Sequence, residues 1–266
     1  MAHYQKKFLL LFVGPFLLTA LLYRHQAIGS NAIRNFFNVP VRVVEPWAFD
    51  WTYFGVATAA HGRLTPSEWW RLHTHPLLDL ISGLFYLLFI FLFVLIAARF
   101  WWEAKHEKQK HRRDILQSAS LGFLLLNILG YITYSLYPAA PPWYTELKGL
   151  STLDWSTPAH AAGAQAFDAL LGVQVFAKMY GMSAAVFGAV PSLHVAYPAL
   201  ALTLAWRGGV WRLPTWLYFL GMSFSAVYLN HHYVFDIIWG TLYGLAVGLT
   251  CERILASMAS LFRRKE

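Results

Sequence analysis

The stretch Ser225-Ala-Val-Tyr-Leu-Asn-His-His-Tyr-Val-Phe-Asp236 decides how this sequence is interpreted, because it places a histidine and an aspartate at the start of an apolar run. His232 and Asp236 are four residues apart, so on a helix they would lie on one face, one turn from each other. A carboxylate that accepts the Nδ1 proton of an imidazole leaves Nε2 free to attack and stabilises the cation that forms. The spacing therefore predicts an oriented histidine nucleophile.

A second stretch, Ala189-Val-Pro-Ser-Leu-His194, also holds a histidine at the predicted start of an apolar helix. Pro191 and Ser192 are typical of a helix start, and Ser192 is the predicted N-cap. The unpaired N–H groups of a helix N-terminus favour anions, so a phosphate beside His194 would be held there without a side-chain cation. We expect the two stretches to form one site.

The composition is typical of a membrane protein. Of the 266 residues, 58% are hydrophobic and 13% are charged, and this charged fraction is about half that of a soluble domain. The net charge of +8 comes from short basic blocks between apolar runs, a pattern that indicates membrane topology and argues against a nucleic-acid partner. The single cysteine, Cys251, excludes an internal disulfide and a cysteine-based metal site.

Six apolar runs approach the roughly 20 residues that cross a bilayer. We therefore predict an all-α integral membrane protein, a six-transmembrane-helix bundle with a single membrane domain over residues 1–266. The first run follows Lys6-Lys7 and has no small-residue cleavage site behind it, so it is interpreted as a retained signal-anchor helix. The predicted spans are 8–23, 77–98, 115–137, 192–206, 213–229 and 233–254.

The basic residues predict the orientation of these spans. The connection between the second and third spans contains the block Lys105–Arg113, which is predicted to be a solvated cytoplasmic loop near anionic lipid. Basic residues at both termini and between spans four and five agree with this, although the arginines of the first connection do not. With both termini inside, His194 and His232 fall on the same outer face of the membrane.

The two long outer connections, 24–76 and 138–190, are predicted to hold short surface helices, one of them starting at Thr65 or Ser67. The second connection opens with Tyr137-Pro-Ala-Ala-Pro-Pro-Trp-Tyr144. This run has two explanations: it is a helix stop with an aromatic belt, or its prolines and aromatic rings form a wall for an acyl chain or a head group.

Two further residues are open between a functional and a structural role. His231 lies about 100° round a helix from His232, and it either binds substrate or faces the interface. Asp79 either accepts a hydrogen bond from substrate or pairs with an arginine of the first connection. A lone interfacial histidine is usually a polar anchor, but a carboxylate such as Asp236 inside an apolar helix indicates function. The predicted substrate-binding residues are Ser192, His231, Tyr228, Pro142, Trp143, Tyr144 and Asp79.

The motifs resemble the second and third signature motifs of the type 2 phosphatidic acid phosphatase superfamily, and more closely its inositol phosphorylceramide synthase branch. The branch is similar in Tyr137-Pro-x-x-Pro-Pro-Trp-Tyr144, in Val186-Phe-Gly-x-x-Pro-Ser-Leu-His194 and in His231-His-Tyr-x-x-Asp236. The resemblance covers roughly the region from Leu77 to the last helix, and it implies a six-helix bundle whose histidines face the lumen or periplasm. It also implies that His232 attacks phosphorus, that Asp236 orients His232, and that His194 protonates the leaving oxygen.

Two departures from the superfamily pattern favour a diester substrate. Superfamily phosphatases have a lysine and an Arg-Pro pair at the outer end of helix three, where this sequence has no cation. They also have an arginine directly after the serine of the third motif, where this sequence has Ala226. A phosphate monoester carries nearly two negative charges, and buried charge is costly unless it is paired. A site with few cations suits a singly charged phosphodiester better.

We expect a membrane phosphotransferase that moves a phospho-head group, such as phosphoinositol, from a phospholipid donor to the hydroxyl of a ceramide-like or other lipid alcohol acceptor. The transfer would pass through a phosphohistidine and use no metal or other cofactor. Two alternatives stay open: a lipid phosphate phosphatase, in which water replaces the acceptor, and a non-catalytic lipid-binding scaffold. The expected location is a bacterial inner membrane with the site facing the periplasm, or a Golgi membrane with the site facing the lumen. The oligomeric state is left open.

Overall fold

The structure, a computed structural model, describes residues 14, 15, 17–19, 21, 33, 36–107, 110–181, 186–209 and 211–263. This part of the chain is mostly helical, as expected, and a small antiparallel hairpin of β1 (Val56–Thr58) and β2 (Gly62–Leu64) adds a feature that the all-α prediction did not include. The helices are α1 (Val44–Tyr53), α2 (Pro66–Leu72), α3 (Pro76–Glu107), α4 (Lys110–Leu136), α5 (Pro142–Lys148), α6 (Ala164–Leu171), α7 (Val175–Gly181), α8 (Leu193–Gly208), α9 (Arg212–Tyr228) and α10 (Val234–Arg263).

Among the described residues, three helices are long and apolar enough to cross a membrane: Pro76–Arg99 in α3, Gln117–Leu136 in α4 and Val234–Cys251 in α10. They coincide with the predicted spans 77–98, 115–137 and 233–254. Helices α8 and α9 lie where 192–206 and 213–229 were predicted, but they have only 16 and 17 residues. The predicted span 8–23 lies almost wholly outside the described residues. The chain is an integral membrane protein, and the count of six spans stays a prediction.

The prediction of a solvated loop over Lys105–Arg113 is wrong. Helix α3 continues to Glu107 and α4 begins at Lys110, so most of the basic block is helical; residues 108 and 109 lie outside the described part. The block contains three lysines, two arginines, one glutamate and one glutamine, which are good helix formers. Its charge therefore does not end either helix.

The described part of the first long connection, 24–76, contains α1, the hairpin and α2. Helix α2 begins after Thr65, one of the two predicted starts, and its first turn has a capping box. The Glu68 amide donates to Thr65 Oγ1 (3.3 Å), and the Thr65 amide donates to Glu68 Oε2 (2.7 Å). Trp47 Nε1 donates to Glu68 Oε1 (2.9 Å), which joins α1 to α2.

Helix α8 is the central element, and α3, α4, α9 and α10 all pack against it. The approach of α10 is closest because three glycines four residues apart face α8. A Cβ at Gly240 or Gly244 would collide with the backbone carbonyl of Ser192 or Ala196, and one at Gly248 would crowd Thr203. Small residues at this spacing let two membrane helices come into backbone contact. The contact brings the start of α8 beside the start of α10.

Candidate active site

His232 and Asp236 are in contact, but not for the reason that the sequence suggested. The prediction that they share one helical face is wrong, since α10 begins only at Val234. Asp236 instead reaches back from the first turn, where its Oδ2 accepts a hydrogen bond from the Tyr233 amide (2.9 Å), as the acidic residue of a capping box does. The same oxygen lies 3.2 Å from His232 Nδ1. The four-residue spacing thus acts through helix-cap geometry.

The turn between α9 and α10 holds the two adjacent histidines in place. The amides of His231 and His232 both donate to the Ala226 carbonyl at the end of α9, at 3.2 and 3.0 Å. Asn230 has a left-handed φ of 62°, a conformation that asparagine tolerates better than most residues. The Trp143 amide donates to the Asn230 carbonyl (3.1 Å), so α5 supports the turn from the outer connection.

The start of α8 completes the site. The Ser192 amide donates to the Asp236 carbonyl at 3.0 Å, which joins the two motifs through their backbones. Ser192 occupies the N-cap position, as predicted, but its hydroxyl forms no capping bond and is buried without a partner among the described residues. His194 Nδ1 lies 3.4 Å from His232 Nε2. Asp236, His232 and His194 therefore form a continuous row.

Burial controls the protonation of the two adjacent histidines. The side chain of His232 is 7% exposed and that of Asp236 is fully buried. Burial lowers the pKa of His232 to about 4, against an opposing effect of a backbone hydrogen bond at Ala189. Burial, together with the nearby His232 and His194, also holds the pKa of His231 well below its usual value. At neutral pH the His232 imidazole is neutral and carries a lone pair, as a nucleophile requires.

Asp50 of α1 is a buried residue at the site that sequence reasoning missed. Its two carboxylate oxygens accept hydrogen bonds from the first amides of α10, Val234 N at 2.8 Å and Phe235 N at 3.0 Å. Burial raises its pKa to about 7, against the effect of these two bonds. In the sequence, the feature that could have identified Asp50 is an acidic residue flanked by aromatic residues in a predicted surface segment. Its partners, however, lie more than 180 positions away.

Aromatic side chains of α3 form one wall of the site, which sequence reasoning also missed. The rings of Tyr86 and Phe89 pack on His194, with centroids 4.3 and 4.6 Å away. Both residues lie inside a continuous apolar run, where nothing in the sequence separates a site residue from a core residue.

Two predicted substrate-binding residues, Asp79 and Tyr228, contact each other. The Tyr228 hydroxyl donates to Asp79 Oδ1 (2.6 Å) and accepts from the His75 amide (3.0 Å). Among the described residues, the partner of Asp79 is therefore this tyrosine and not the arginine that was considered. The contact fastens α9 to the start of α3.

The three residues predicted as an aromatic wall, Pro142, Trp143 and Tyr144, are buried in α5. The Tyr144 hydroxyl accepts a hydrogen bond from the Asp154 amide (2.6 Å), so Tyr144 contacts the segment that follows α5. An apolar cavity of about 240 Å³ lies elsewhere, between α4 and α10 beside the site. Of the predicted wall only Tyr137 lines it, and the lining residues are Thr133, Tyr137, Val190, Pro191, Phe235, Trp239 and Tyr243.

Comparison with known proteins identifies this arrangement. The family model for the PAP2 superfamily matches residues 61–249, well over half of the chain. The chain belongs to the PAP2 superfamily. This PAP2 protein is 33% identical over 230 residues to the phosphoinositol dihydroceramide synthase of Bacteroides thetaiotaomicron, an alignment that covers 85% of this chain and 71% of the relative. No solved structure is a significant match.

Fungal relatives match a shorter part of this PAP2 chain. The inositol phosphorylceramide synthase of Candida albicans is 35% identical over 133 residues, which cover 50% of this chain and 28% of that protein. The inositol phosphorylceramide synthase catalytic subunit of Saccharomyces cerevisiae is 32% identical over 117 residues, with 44% and 29% covered. The resemblance to the inositol phosphorylceramide synthase branch is confirmed. The chain is an enzyme of lipid phosphoester chemistry, so the scaffold hypothesis is set aside.

Proposed function

We propose that this enzyme transfers a phospho-head group from a phospholipid to a lipid hydroxyl through a phosphohistidine on His232. The observation that carries the proposal is the row of Asp236, His232 and His194, in which a neutral, buried imidazole is joined to a carboxylate on one side and to a second histidine on the other. The bacterial relative is named a phosphoinositol dihydroceramide synthase, which supports phosphoinositol as the head group and a ceramide as the acceptor.

In the first step, His232 Nε2 attacks the phosphorus of the donor and a P–N bond forms. The bond from phosphorus to the lipid oxygen breaks, and His194, which becomes protonated when the negative phosphate of the donor lies beside it, gives its proton to that oxygen, so the lipid leaves as an alcohol. Asp236 accepts a hydrogen bond from Nδ1–H of His232 and stabilises the positive charge that develops on the ring. Because His194 Nδ1 lies 3.4 Å from the attacking nitrogen, the phosphoryl group must enter between the two rings.

In the second step, the hydroxyl of the acceptor lipid attacks the phosphorus of the phosphohistidine. His194, now neutral, takes the hydroxyl proton, the P–N bond breaks and His232 is restored. The proton that His194 gives in the first step is thus recovered in the second, and no net proton is consumed. If water entered in place of the acceptor, the same residues would hydrolyse the intermediate, which is the phosphatase alternative.

The charges around the row favour a phosphodiester. Among the described residues, no lysine or arginine is found among the groups that hydrogen-bond to His194, His232 or Asp236 or act on their charges. A buried dianion without a cation is costly. A donor phospholipid with one negative charge is therefore a better substrate than a phosphomonoester. These charges favour a transferase over a phosphatase.

The placement in the membrane is also part of the proposal. We infer one domain of six spans, with α8 and α9 as short spans and the site on the outer face, which is the periplasmic face in a bacterium. An apolar cavity lies beside the site and could hold part of a lipid substrate. It contacts Pro191 and Phe235, the neighbours of Ser192 and Asp236, and its volume of about 240 Å³ suits part of an acyl chain.

The test is mass spectrometry of the products after the purified full-length chain is mixed with phosphatidylinositol and ceramide in mixed micelles. We expect a new lipid that carries phosphoinositol, together with diacylglycerol, and no new lipid from His232→Ala. His73→Ala is the matched control, because His73 is an exposed histidine that stacks on Trp69. Free inositol phosphate without a new lipid would replace the transferase with the phosphatase, and turnover by His232→Ala within about threefold of wild type would refute the phosphohistidine.

A further inference from the structure

Tyr86 stands at the centre of a stack of rings around the catalytic histidines. Its ring lies nearly parallel to that of His194, with centroids 4.3 Å apart and an interplanar angle of 20°. It is also parallel to the ring of His231, at 5.1 Å and 16°, and the other face of His231 carries Tyr180 at 4.6 Å and 10°. Tyr86 is fully buried. Its position is fixed by contacts with two site histidines.

The hydroxyl of Tyr86 is buried and has no hydrogen-bond partner among the described residues. Buried tyrosine hydroxyls usually have a partner, and an unsatisfied buried donor is destabilising. The same state recurs at Ser192 Oγ, His231 Nε2 and Asp236 Oδ1. Four unsatisfied polar atoms on residues of one site are expected where a polar ligand binds, because the ligand supplies the missing hydrogen bonds.

The chemistry of the missing ligand follows from the groups around it. The ring of Tyr86 packs on His194, and His194 Nδ1 lies 3.4 Å from His232 Nε2, so Tyr86 borders the row of His194, His232 and Asp236. A phosphoryl group in a site without described lysine or arginine contacts needs neutral donors for its oxygens. A tyrosine hydroxyl is such a donor, and it adds no charge that would raise the cost of burial.

We propose that Tyr86 is a further catalytic residue, whose hydroxyl donates a hydrogen bond to a non-bridging phosphoryl oxygen of the substrate while His232 attacks. The inference rests on the proposed function of the site. Phosphoryl transfer is accelerated mainly by positioning and by donors aimed at these oxygens. Tyr86 thus stabilises the phosphoryl oxygens, as a lysine or arginine would in a site lined by cations.

The alternative is that Tyr86 acts only through its ring, as a packing surface for His194. Tyr86→Phe separates the two, because phenylalanine keeps the ring and loses only the hydroxyl. A purely structural role predicts that this variant is as active as wild type and at least as stable, since an unsatisfied buried hydroxyl is removed. The catalytic role predicts lower activity at unchanged or higher stability.

The experiment measures kcat, KM and the thermal unfolding midpoint of the purified full-length chain with phosphatidylinositol and ceramide. Tyr218→Phe is the matched control, because the Tyr218 hydroxyl is also buried but donates to the Phe89 carbonyl. We expect Tyr86→Phe to lower kcat/KM by about 10- to 100-fold without lowering the midpoint. Tyr218→Phe should lower the midpoint and keep kcat/KM within about threefold.

Tyr86→Phe with kcat/KM within about threefold of wild type would refute the role of Tyr86 and leave the proposed function intact. A midpoint that falls together with activity would assign the hydroxyl to folding and would also refute the inference. A wild-type chain that turns over neither as a transferase nor as a phosphatase would refute the proposed function itself, and the role of Tyr86 with it. The wild-type activity therefore distinguishes a failure of the Tyr86 inference from a failure of the proposed function.

Discussion

Replacing Asp50 with asparagine should remove a specific pH dependence of stability. The carboxyl is fully buried at the start of α10, and burial raises its pKa from the usual 3.8 to about 7. A carboxyl whose pKa is raised in the folded state stabilises the fold fully below the unfolded value, and this stability is lost as the pH rises through the folded value. The native chain should therefore become less stable between about pH 4 and about pH 7.

The magnitude follows from the two pKa values. Linkage gives a loss of about 2–3 kcal/mol between about pH 5 and about pH 8 for this one group. For a chain of this size, that loss corresponds to a fall of about 5–10 °C in the unfolding midpoint. Asparagine cannot ionise and keeps one acceptor for the amides of Val234 and Phe235, so the Asp50→Asn variant should lack this part of the slope.

The assay is thermal unfolding of detergent-purified protein, followed by intrinsic fluorescence across this pH range. Glu45→Gln is the matched control, since Glu45 is on the same helix but half-exposed and paired with Arg42. It should keep the wild-type slope. If Asp50→Asn kept the slope too, the carboxyl would not be the titrating group and the argument from burial would be refuted.

Three further variants test the contacts that hold the site together. Gly240→Ala should lower both the unfolding midpoint and turnover, because a Cβ there collides with the Ser192 carbonyl. Gly181→Ala is the control, since a Cβ at Gly181 meets no described atom. Equal behaviour of the two variants would contradict the close packing of α8 and α10. Tyr228→Phe should cost about 1–3 kcal/mol, seen as a lower midpoint, because Asp79 and the His75 amide both lose a partner. Thr65→Ala should cost about 1 kcal/mol in the same assay by breaking the capping box of α2, and an unchanged midpoint would mean that this helix does not unfold with the core.

Local sequence signals predicted local structure well. Thr65 was one of two predicted starts of α2, and the structure adds that Glu68, three positions later, completes a capping box with it. The apolar runs predicted α3, α4 and α10 because a bilayer demands length and apolarity, which composition alone displays. The hairpin of β1 and β2 was missed since two three-residue strands are too short for a periodic signal.

The site was predicted only in part. Contacts between residues close in sequence were predicted, and contacts between residues far apart in sequence were not. The contact of His232 with Asp236 is local, so the spacing identified the pair even though the helix begins later than expected. The contact of Asp50 with the start of α10 joins positions 184 apart, and no periodic pattern carries it. Tyr86 is hidden for another reason: in an apolar helix, a residue that faces the site is chemically the same as one that faces the core.

The position of the two buried carboxylates bears on the choice of substrate. Asp50 and Asp236 both accept hydrogen bonds from amides at the start of α10. The positive end of the helix dipole is therefore already paired with two carboxylates. The charge of Asp236 also helps to raise the pKa of Asp50, so the two carboxylates repel each other. A phosphomonoester would bring nearly two more negative charges into this field, whereas a phosphodiester brings one. Since like charges at close range each add to the cost of burial, we expect the carboxylates to disfavour a monoester. The proposed preference for a head-group diester therefore rests on these two carboxylates as well as on the described contacts of the row, which include no lysine or arginine.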